Sequence, residues 1–553
     1  MTTTGNASAT SWTPFEAHAS MSEADAIVEA EACLQCGGPQ MTAPCVAACP
    51  AGIDVPGFIN AIAQGSPADA ADIIFRENIL GGSCARVCPV EVLCEGSCVL
   101  KKEGRHPIQI ARLQRFATDR AFETGAVVVQ QPPATARHRE ESVCVVGAGP
   151  AGLACAAELA QLGYSVTVYE QRQVPGGLIT HGIAPYKQQI DPMQKEVAIL
   201  ERMGVVFRFG VAVGREISVE LLRKWHKALF IGVGMGEDTP AGIPGEDLPG
   251  VWESLRFIEA IKLDGGQSLE IGPRVAVVGG GNTAIDVGRE AVMLGATDVM
   301  LLYRRTEAQM PAYAHEVAAA RKEGVKIMPL VAPVAFLGTD RVRAVRCIRM
   351  QLGAPDSSGR PRPEPIPGSE FEIEVDSAIT AIGQKPRADF FRTLGIELSR
   401  GIVKVNEDFQ TTVPSFFAGG DCLNGGATVV EAVRDGKVAA HGIHRFLRSC
   451  PRPQAHLDQP AQIVHSNGVV RNFQLDAALH TAPLLCKGCG VCVESCPAQM
   501  LRLDGSNRIT VVDVNQCVFC GLCEARCPDF AIWIVRGRAT RARSTFAVSE
   551  LRR

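Results

Sequence analysis

SVCVVGAGPAGLACAAELAQLGYSVTVYE, Ser142 to Glu170, decides the fold of the central part of this 553-residue chain. A short apolar strand runs into Gly147, Gly149, Pro150 and Gly152, then into a helix, then into a second strand that ends on Glu170. The glycines allow a tight turn, let main chain approach a pyrophosphate, and let the helix pack on the strand. The helix amino terminus stabilises phosphate charge, and Glu170 stands where a carboxylate accepts hydrogen bonds from a ribose hydroxyl. A glycine triplet alone is weak evidence. The full series of strand, loop, helix, strand and acid is strong evidence for a dinucleotide-binding fold.

A second copy follows in RVAVVGGGNTAIDVGREAVMLGATDVMLLYRR, Arg274 to Arg305. Gly279, Gly281 and Ala284 take the glycine positions, with Asn282 and Thr283 between them, but the second strand ends in Tyr303, Arg304 and Arg305. A cationic, bidentate donor there suits a 2′-phosphate, and the carboxylate that selects NAD is missing, so this fold is read as NADP-binding. The plainer alternative for Arg304 and Arg305 is a solvated loop. Two unlike folds call for two unlike dinucleotides.

PSFFAGGDCLNGGATVVEAVRDGKVAAHGI, Pro414 to Ile443, resembles the FAD-closing motif of flavoproteins with two dinucleotide-binding domains. The resemblance implies that the first fold binds FAD and that Gly420 and Asp421 meet its ribityl or pyrophosphate end. It further implies that the helix after Thr428 points its amino terminus at the isoalloxazine. The family-like strings VPGGLITHGI and AIGQKP add Gly177 and Leu178 to the FAD side and Gly383 to the NADP side. Because the closing motif follows the second fold, the FAD domain is expected to be split, as residues 141–255 and 376–448, around an NADP domain at 256–375. HGIAPYK departs from the family's usual GIP string. Neither VPGGLITHGI nor GGGNTAIDVGRE holds a cysteine pair, which argues against a disulfide reductase. No catalytic side chain is expected, because the hard chemistry belongs to the cofactors, and His181 and His315 are read as ordinary histidines.

Twenty-one cysteines in a chain whose start shows no export signal point to metal ligation rather than disulfides. Near the carboxy end, Cys486, Cys489, Cys492 and Cys496 are followed by Pro497, and Cys517, Cys520, Cys523 and Cys527 by Pro528, each 31 residues after its counterpart. This is a doubled C-x2-C-x2-C-x3-C-P run, in which the fourth cysteine of each run ligates the other cluster. One [4Fe-4S] cluster is therefore assigned to Cys486, Cys489, Cys492 and Cys527, and the other to Cys517, Cys520, Cys523 and Cys496. A zinc site would leave the third x2 cysteine and the proline unexplained.

The amino-terminal cysteines, Cys33, Cys36, Cys45, Cys49, Cys84, Cys88, Cys94 and Cys98, are irregularly spaced around a segment with helical apolar spacing at Phe58, Ile59, Ile62, Ile73 and Ile74. Spacing supports only a metal-binding helical domain. CLQC, CVAACP, GFINAIAQG, GGSCARVCP, LCEGSC and IQIARLQRFATD resemble the dicluster domain of the glutamate synthase small subunit and of the amino-terminal half of dihydropyrimidine dehydrogenase. The resemblance implies one cluster on Cys33, Cys36, Cys45 and Cys98, and another on Cys49, Cys88, Cys94 and Gln114, with Cys84 spare. The eight residues between Cys36 and Cys45 exceed the family's usual gap.

The expected architecture is α/β: a helical amino-terminal dicluster domain at 26–125, two Rossmann-like domains, and an α+β bacterial-type ferredoxin domain at 476–540. Residues 1–25 are expected to be a flexible start, 126–140 and 449–475 linkers, and 541–553 a basic tail. A net charge of −4 gives no basic excess for nucleic acid. MTTTGNASATSWTPF lacks a secretory pattern, and Val143 to Gly163 carries glycines, Pro150 and Glu158, unlike a membrane span. A cytoplasmic protein is expected. NADPH yields electrons in pairs and clusters take them singly, so a flavin is the expected junction. The expected role is an NADPH:iron-sulfur oxidoreductase subunit with four [4Fe-4S] clusters, working in a hetero-oligomer with ferredoxin or with a partner such as a 2-oxoacid:ferredoxin oxidoreductase. The alternatives are a glutamate synthase small subunit serving an amidotransferase, a non-catalytic relay, and a bifurcating flavin.

Overall fold

The computed structural model describes residues 20–37, 42–126, 138–355, 359–448, 465–466, 469–472, 477–481, 486–496, 498–512, 517, 523, 527 and 531–536. Two compact units emerge: one centred on Val129–Arg448, the other combining Ser20–Val128 with Ser449–Arg553.

In the first unit, strands β1 (His138–Val146), β2 (Tyr164–Glu170), β3 (Val206–Phe209) and β4 (Ala228–Ile231) are joined by a late strand, β16 (Phe416–Ala418). They form a parallel sheet in the order β16-β4-β1-β2-β3. Val143, Cys144 and Val145 are fully buried, the unalternating apolar run of a strand covered on both faces. Return of the chain to this sheet after the second fold is the split expected from the sequence.

The second sheet contains β5 (Val251–Glu253), β6 (Arg274–Val278), β7 (Asp298–Tyr303), β8 (Lys326–Pro329) and β13 (Ser377–Thr380), all parallel, in the order β5-β13-β6-β7-β8. It thus runs from Val251 to Thr380, beyond the expected 256–375, because both boundary strands pair inside it. Between β8 and β13 lies an antiparallel sheet that the motifs do not announce: β9 (Val331–Gly338), β10 (Val342–Pro355), β11 (Pro361–Pro365) and β12 (Phe371–Glu374). Phe336, Val345 and Cys347 of this insert share a core with Ala276, Val278 and Leu302 of the second sheet. A small hairpin, β14 (Leu398–Ser399) with β15 (Ile402–Val403), precedes the return to the first sheet.

In the second unit the helices Glu23–Glu31, Val55–Ala63, Pro67–Glu77, Gly81–Val87 and Ile110–Thr124 pack together. Ser22 and Asp54 cap the first two of these by accepting main-chain N–H bonds, and proline opens the second and third. The carboxy-terminal portion is antiparallel, with strand Ala477–Thr481 between Val469–Asn472 and Ile532–Arg536, plus a pair Leu501–Leu503 and Ile509–Val511. Among the described residues no helix is long and apolar enough to cross a membrane.

Candidate functional site: two dinucleotide cradles and three cysteine groups

The first cradle is the loop from β1 to the helix Pro150–Gln161. Gly147 has φ +101°, and a Cβ there would lie 2.5 Å from the Gly232 carbonyl oxygen. A Cβ at Gly152 would lie 1.9 Å from the Gly147 oxygen, so the helix reaches the strand only because that position is bare. Gly149 and Gly177 face each other so closely that a Cβ on Gly177 would stand 2.8 Å from the Gly149 Cα. This is a main-chain floor with no side chain in the way, and Gly176 N–H ties it to the Ala148 oxygen at 2.8 Å. Leu178 opens the short helix Leu178–His181 beside it. Glu170 sits beside the loop, one oxygen accepting Ala148 N–H at 2.7 Å and the other Arg172 N–H at 2.9 Å. Each carboxylate oxygen keeps a second lone pair, the pair of acceptors that the two hydroxyls of a ribose diol require.

The closing motif converges on the same helix. Gly420, φ +80°, approaches Ala151 to within 3.0 Å of a would-be Cβ, and its N–H donates to Asp435 Oδ2 at 3.1 Å. Asp421 accepts from Ala427 N–H at 3.1 Å, and burial pushes its carboxyl up. Thr428 and Glu431 cap the helix Val429–Arg448 reciprocally, the Thr428 hydroxyl donating to Glu431 at 2.7 Å and accepting Glu431 N–H at 3.3 Å. Gly436 lets that helix cross the first fold's helix, since a Cβ would fall 2.2 Å from the Ala151 oxygen. Asp435, 2 % exposed, is not picked out from the sequence; its one signal is an acid on a helical face otherwise built of Ala432, Ala439 and Gly442.

In the second cradle a Cβ at Gly279 (φ +147°) would lie 2.3 Å from the Ala381 oxygen, while Ala284 fills the third glycine position. Gly281 caps the helix Asn282–Met293, and Asn282 Oδ1 accepts Tyr313 N–H at 3.0 Å. Thr283 is half-buried in its first turn. Gly383, φ +109°, is exposed, and its carbonyl accepts Thr239 N–H at 2.7 Å. The two arginines after β7 part company: Arg304 is exposed, whereas Arg305 is buried and donates Nε to the Pro361 oxygen at 3.0 Å.

A buried ionic knot that the sequence did not signal joins the two folds. Tyr186 donates to Asp286 Oδ1 at 2.6 Å, Lys187 bridges Asp286 at 2.7 Å and Glu316 at 2.6 Å, and Arg289 stacks 4.2 Å from the Tyr186 ring centroid. Burial alone would depress the Lys187 ammonium, but Asp286 and Glu316 carry it above its ordinary value. Beneath it, Glu290 is 1 % exposed, and among the described residues neither of its carboxyl oxygens has a hydrogen-bond partner. Burial, then the Asp286 charge, pushes its carboxyl far up. Lys262 donates to the Ile179 oxygen, and burial brings its ammonium down to about 7.

The amino-terminal cysteines lie in two groups that overlap the expected sets without reproducing them: Cys94 is near Cys45 of the first set, and Cys84, expected to be spare, lies with Cys49 and Cys88. The Cys45 thiol feels those of Cys33, Cys94 and Cys98, Cys36 packs against Cys45, and burial drives Cys45 up to about 12. Cys49, Cys84, Cys88 and Cys94 form a second group, in which a hydrogen bond from the Cys88 thiol to Cys84, with burial, raises Cys88. Gln114 is buried in the helix Ile110–Thr124, its Nε2 donating to the Gly81 oxygen at 2.6 Å, so its carbonyl end is the one left to act as a ligand. In the carboxy-terminal portion Cys492, raised to about 11 by burial, lies near Cys527, Cys486 and Cys489. Cys523 shares that core, with Cys496 and Cys517 packed around it. Cys520 lies outside the described residues, as do Pro497 and Pro528. Among the described residues no three His, Cys, Asp or Glu side chains close around a single-ion site. Burial pushes up the thiols of Cys33, Cys45, Cys49, Cys94 and Cys492, and iron inverts that balance by binding thiolates. The bare loops, the acid Glu170 and the grouped thiols fit FAD, NADP and [4Fe-4S] clusters.

Fold and motifs together define an NADPH-dependent flavin and iron-sulfur oxidoreductase. The pyridine nucleotide-disulphide oxidoreductase family matches residues 141–436, the dihydropyrimidine dehydrogenase domain II 4Fe-4S family residues 12–126, and a 4Fe-4S dicluster family residues 485–531. The glutamate synthase [NADPH] small chain of Halomonas elongata is 39 % identical over 437 residues, covering 76 % of this chain and 91 % of that one. The chain belongs to the pyridine nucleotide-disulphide oxidoreductase family, in the branch of the glutamate synthase small chain. The beta subunit of an NADP(+)-dependent formate dehydrogenase from Moorella thermoacetica is 37 % identical, over 74 % of this chain and 60 % of its own. The beta subunit of an NADPH-Fe(3+) oxidoreductase from Geobacter sulfurreducens is 39 % identical, over 73 % and 64 %.

Proposed function

We propose that the chain is the NADP-linked electron-transfer subunit of a larger complex, exchanging electrons between NADP(H) and four [4Fe-4S] clusters by way of FAD. A partner oxidoreductase subunit, such as a 2-oxoacid:ferredoxin oxidoreductase, or a soluble ferredoxin takes or supplies the single electrons. The carrying observation is the gathering of Cys492, Cys486 and Cys489 with the distant Cys527, the crossed pattern of a two-cluster ferredoxin, in a chain that also holds two dinucleotide cradles. When bound, FAD supplies the step from hydride pairs to single electrons. Glu170 and the bare loop of Gly147, Gly149 and Gly177 hold its ribose and pyrophosphate. Asp435 fixes Gly420, Asp421 would meet the other end of the cofactor, and the helix amino terminus at Thr428 would face the ring, favouring negative charge there. Arg304 binds the 2′-phosphate of NADPH.

Support for a hetero-oligomer comes from the relatives, whose names make them the small chain or the beta subunit of an assembly. Stopped-flow mixing under anaerobic conditions tests the reading: NADPH should bleach the flavin, NADH should do so more slowly, and Arg304→Glu should reverse the preference. A flavin that dithionite bleaches and neither coenzyme does would establish the relay reading instead. Coverage of 91 % of a glutamate synthase small chain favours one second reading, service to an amidotransferase, which predicts copurification with a glutamate synthase large chain.

A further inference from the structure

The antiparallel insert brings one more cation to the head of β7. Tyr303 ends that strand against the dinucleotide loop, since a Cβ on Gly280 would stand 2.4 Å from its ring, and its hydroxyl donates to the Gln309 oxygen at 2.8 Å. Arg360, one residue before β11, donates Nη2 to the same Gln309 oxygen at 2.7 Å and to the Tyr303 hydroxyl at 3.3 Å. Its guanidinium therefore lies beside the residue that precedes Arg304. Arg305 is buried, and its Nε holds the carbonyl of Pro361, the neighbour of Arg360. Leu330 N–H in turn holds the Arg305 carbonyl at 3.0 Å, so the root of the insert is fastened to this corner from both sides. Glu307, the nearest acid along the chain, is engaged by Arg321.

We infer that Arg360 is the second cation of the 2′-phosphate site, and that Arg305 is a positioning residue which docks the strand carrying it. The inference rests on the NADP reading of Arg304 and adds to it a residue from a different sheet. A phosphate monoester carries close to two charges and three acceptor oxygens, more than one exposed arginine can satisfy. Two arginines from separate elements, one at the end of β7 and one at the start of β11, supply the charge and two directions of approach.

Calorimetric titration of the flavin-loaded full chain with 2′,5′-ADP and with ADP tests this, with the flavin spectrum as a check on folding. Arg360→Ala should weaken 2′,5′-ADP about tenfold, the loss of one hydrogen-bonded charge, and leave ADP unchanged. Arg360→Lys should recover part of the loss. If Arg304→Ala weakens 2′,5′-ADP and Arg360→Ala does not, the inference is wrong and the NADP reading stands. If Arg360→Ala weakens ADP equally, the residue shapes the fold and not the phosphate site, and the inference fails. If neither variant changes the selectivity, the NADP reading fails first.

Discussion

Asp435 is the residue whose removal should say most about the flavin cradle. Asp435→Ala leaves Gly420 N–H, paired at 3.1 Å, without its acceptor in a buried corner, a loss of about 1–3 kcal/mol. Flavin titration of the apoprotein should show FAD binding weakened roughly tenfold or more while the helix stays folded. Glu290 makes the opposite case. Its folded carboxyl is raised above the ordinary 4.5, so the folded state keeps a proton that the unfolded state releases as pH climbs past that value. Stability from this group is complete below about pH 4.5 and declines upward, and Glu290→Gln should remove the decline. We expect the variant to melt about 2 °C or more above the parent at pH 7.5 and level with it near pH 4.5, by circular dichroism. A variant less stable at both pH values would mean the carboxylate has a partner. Gly147, Glu170 and Asp421 were legible because their neighbours in sequence complete the motif. Asp435 and Glu290 were not, because Gly420 and Lys262 meet them only through the tertiary fold.

At the scale of elements, the glycine loops and the cysteine runs placed both Rossmann folds and the ferredoxin domain, and the late closing motif placed the split. The antiparallel insert escaped because β9 lacks clean alternation, β12 is only four residues long, and β11 reads PRPEP, a string that would break a central strand. It survives as an edge, pairing with β10 alone. Boundary strands β5 and β13 were invisible for a related reason: three or four residues carry no periodicity, and only their pairing shows which sheet they serve. Among the helices of the dicluster domain, Ile110–Thr124 carries Gln114 and is tied to Gly81–Val87 by Asp119, which receives Arg86 at 2.6 Å and Arg115 at 3.2 Å. Asp119→Ala leaves a buried Arg86 unpaired. Because Asp119 is itself part-exposed, we expect about 2 kcal/mol, visible as a lower urea midpoint and lower iron content. Unchanged iron would mean that this clamp does not support the second cluster.

For the whole molecule, the sequence declared its cofactors more fully than its partner, since ligand spacings are local and a docking surface is not. Cluster potentials range over about −700 to +450 mV with their surroundings, so the direction of flow is a property of the assembled protein. If the carboxy-terminal clusters form the outlet, Cys492→Ser should slow NADPH-driven reduction of ferredoxin at least tenfold and leave flavin bleaching by NADPH intact. Bleaching lost together with ferredoxin reduction would point to a folding defect. In the proposed scheme a flavin in this chain turns paired electrons into single ones and passes them to the chain's own clusters. Anaerobic freeze-quench paramagnetic resonance after mixing with NADPH tests it most directly. Bleaching of the flavin followed by the signal of at least one reduced [4Fe-4S] cluster is predicted; a bleached flavin beside clusters that only dithionite reduces would contradict it.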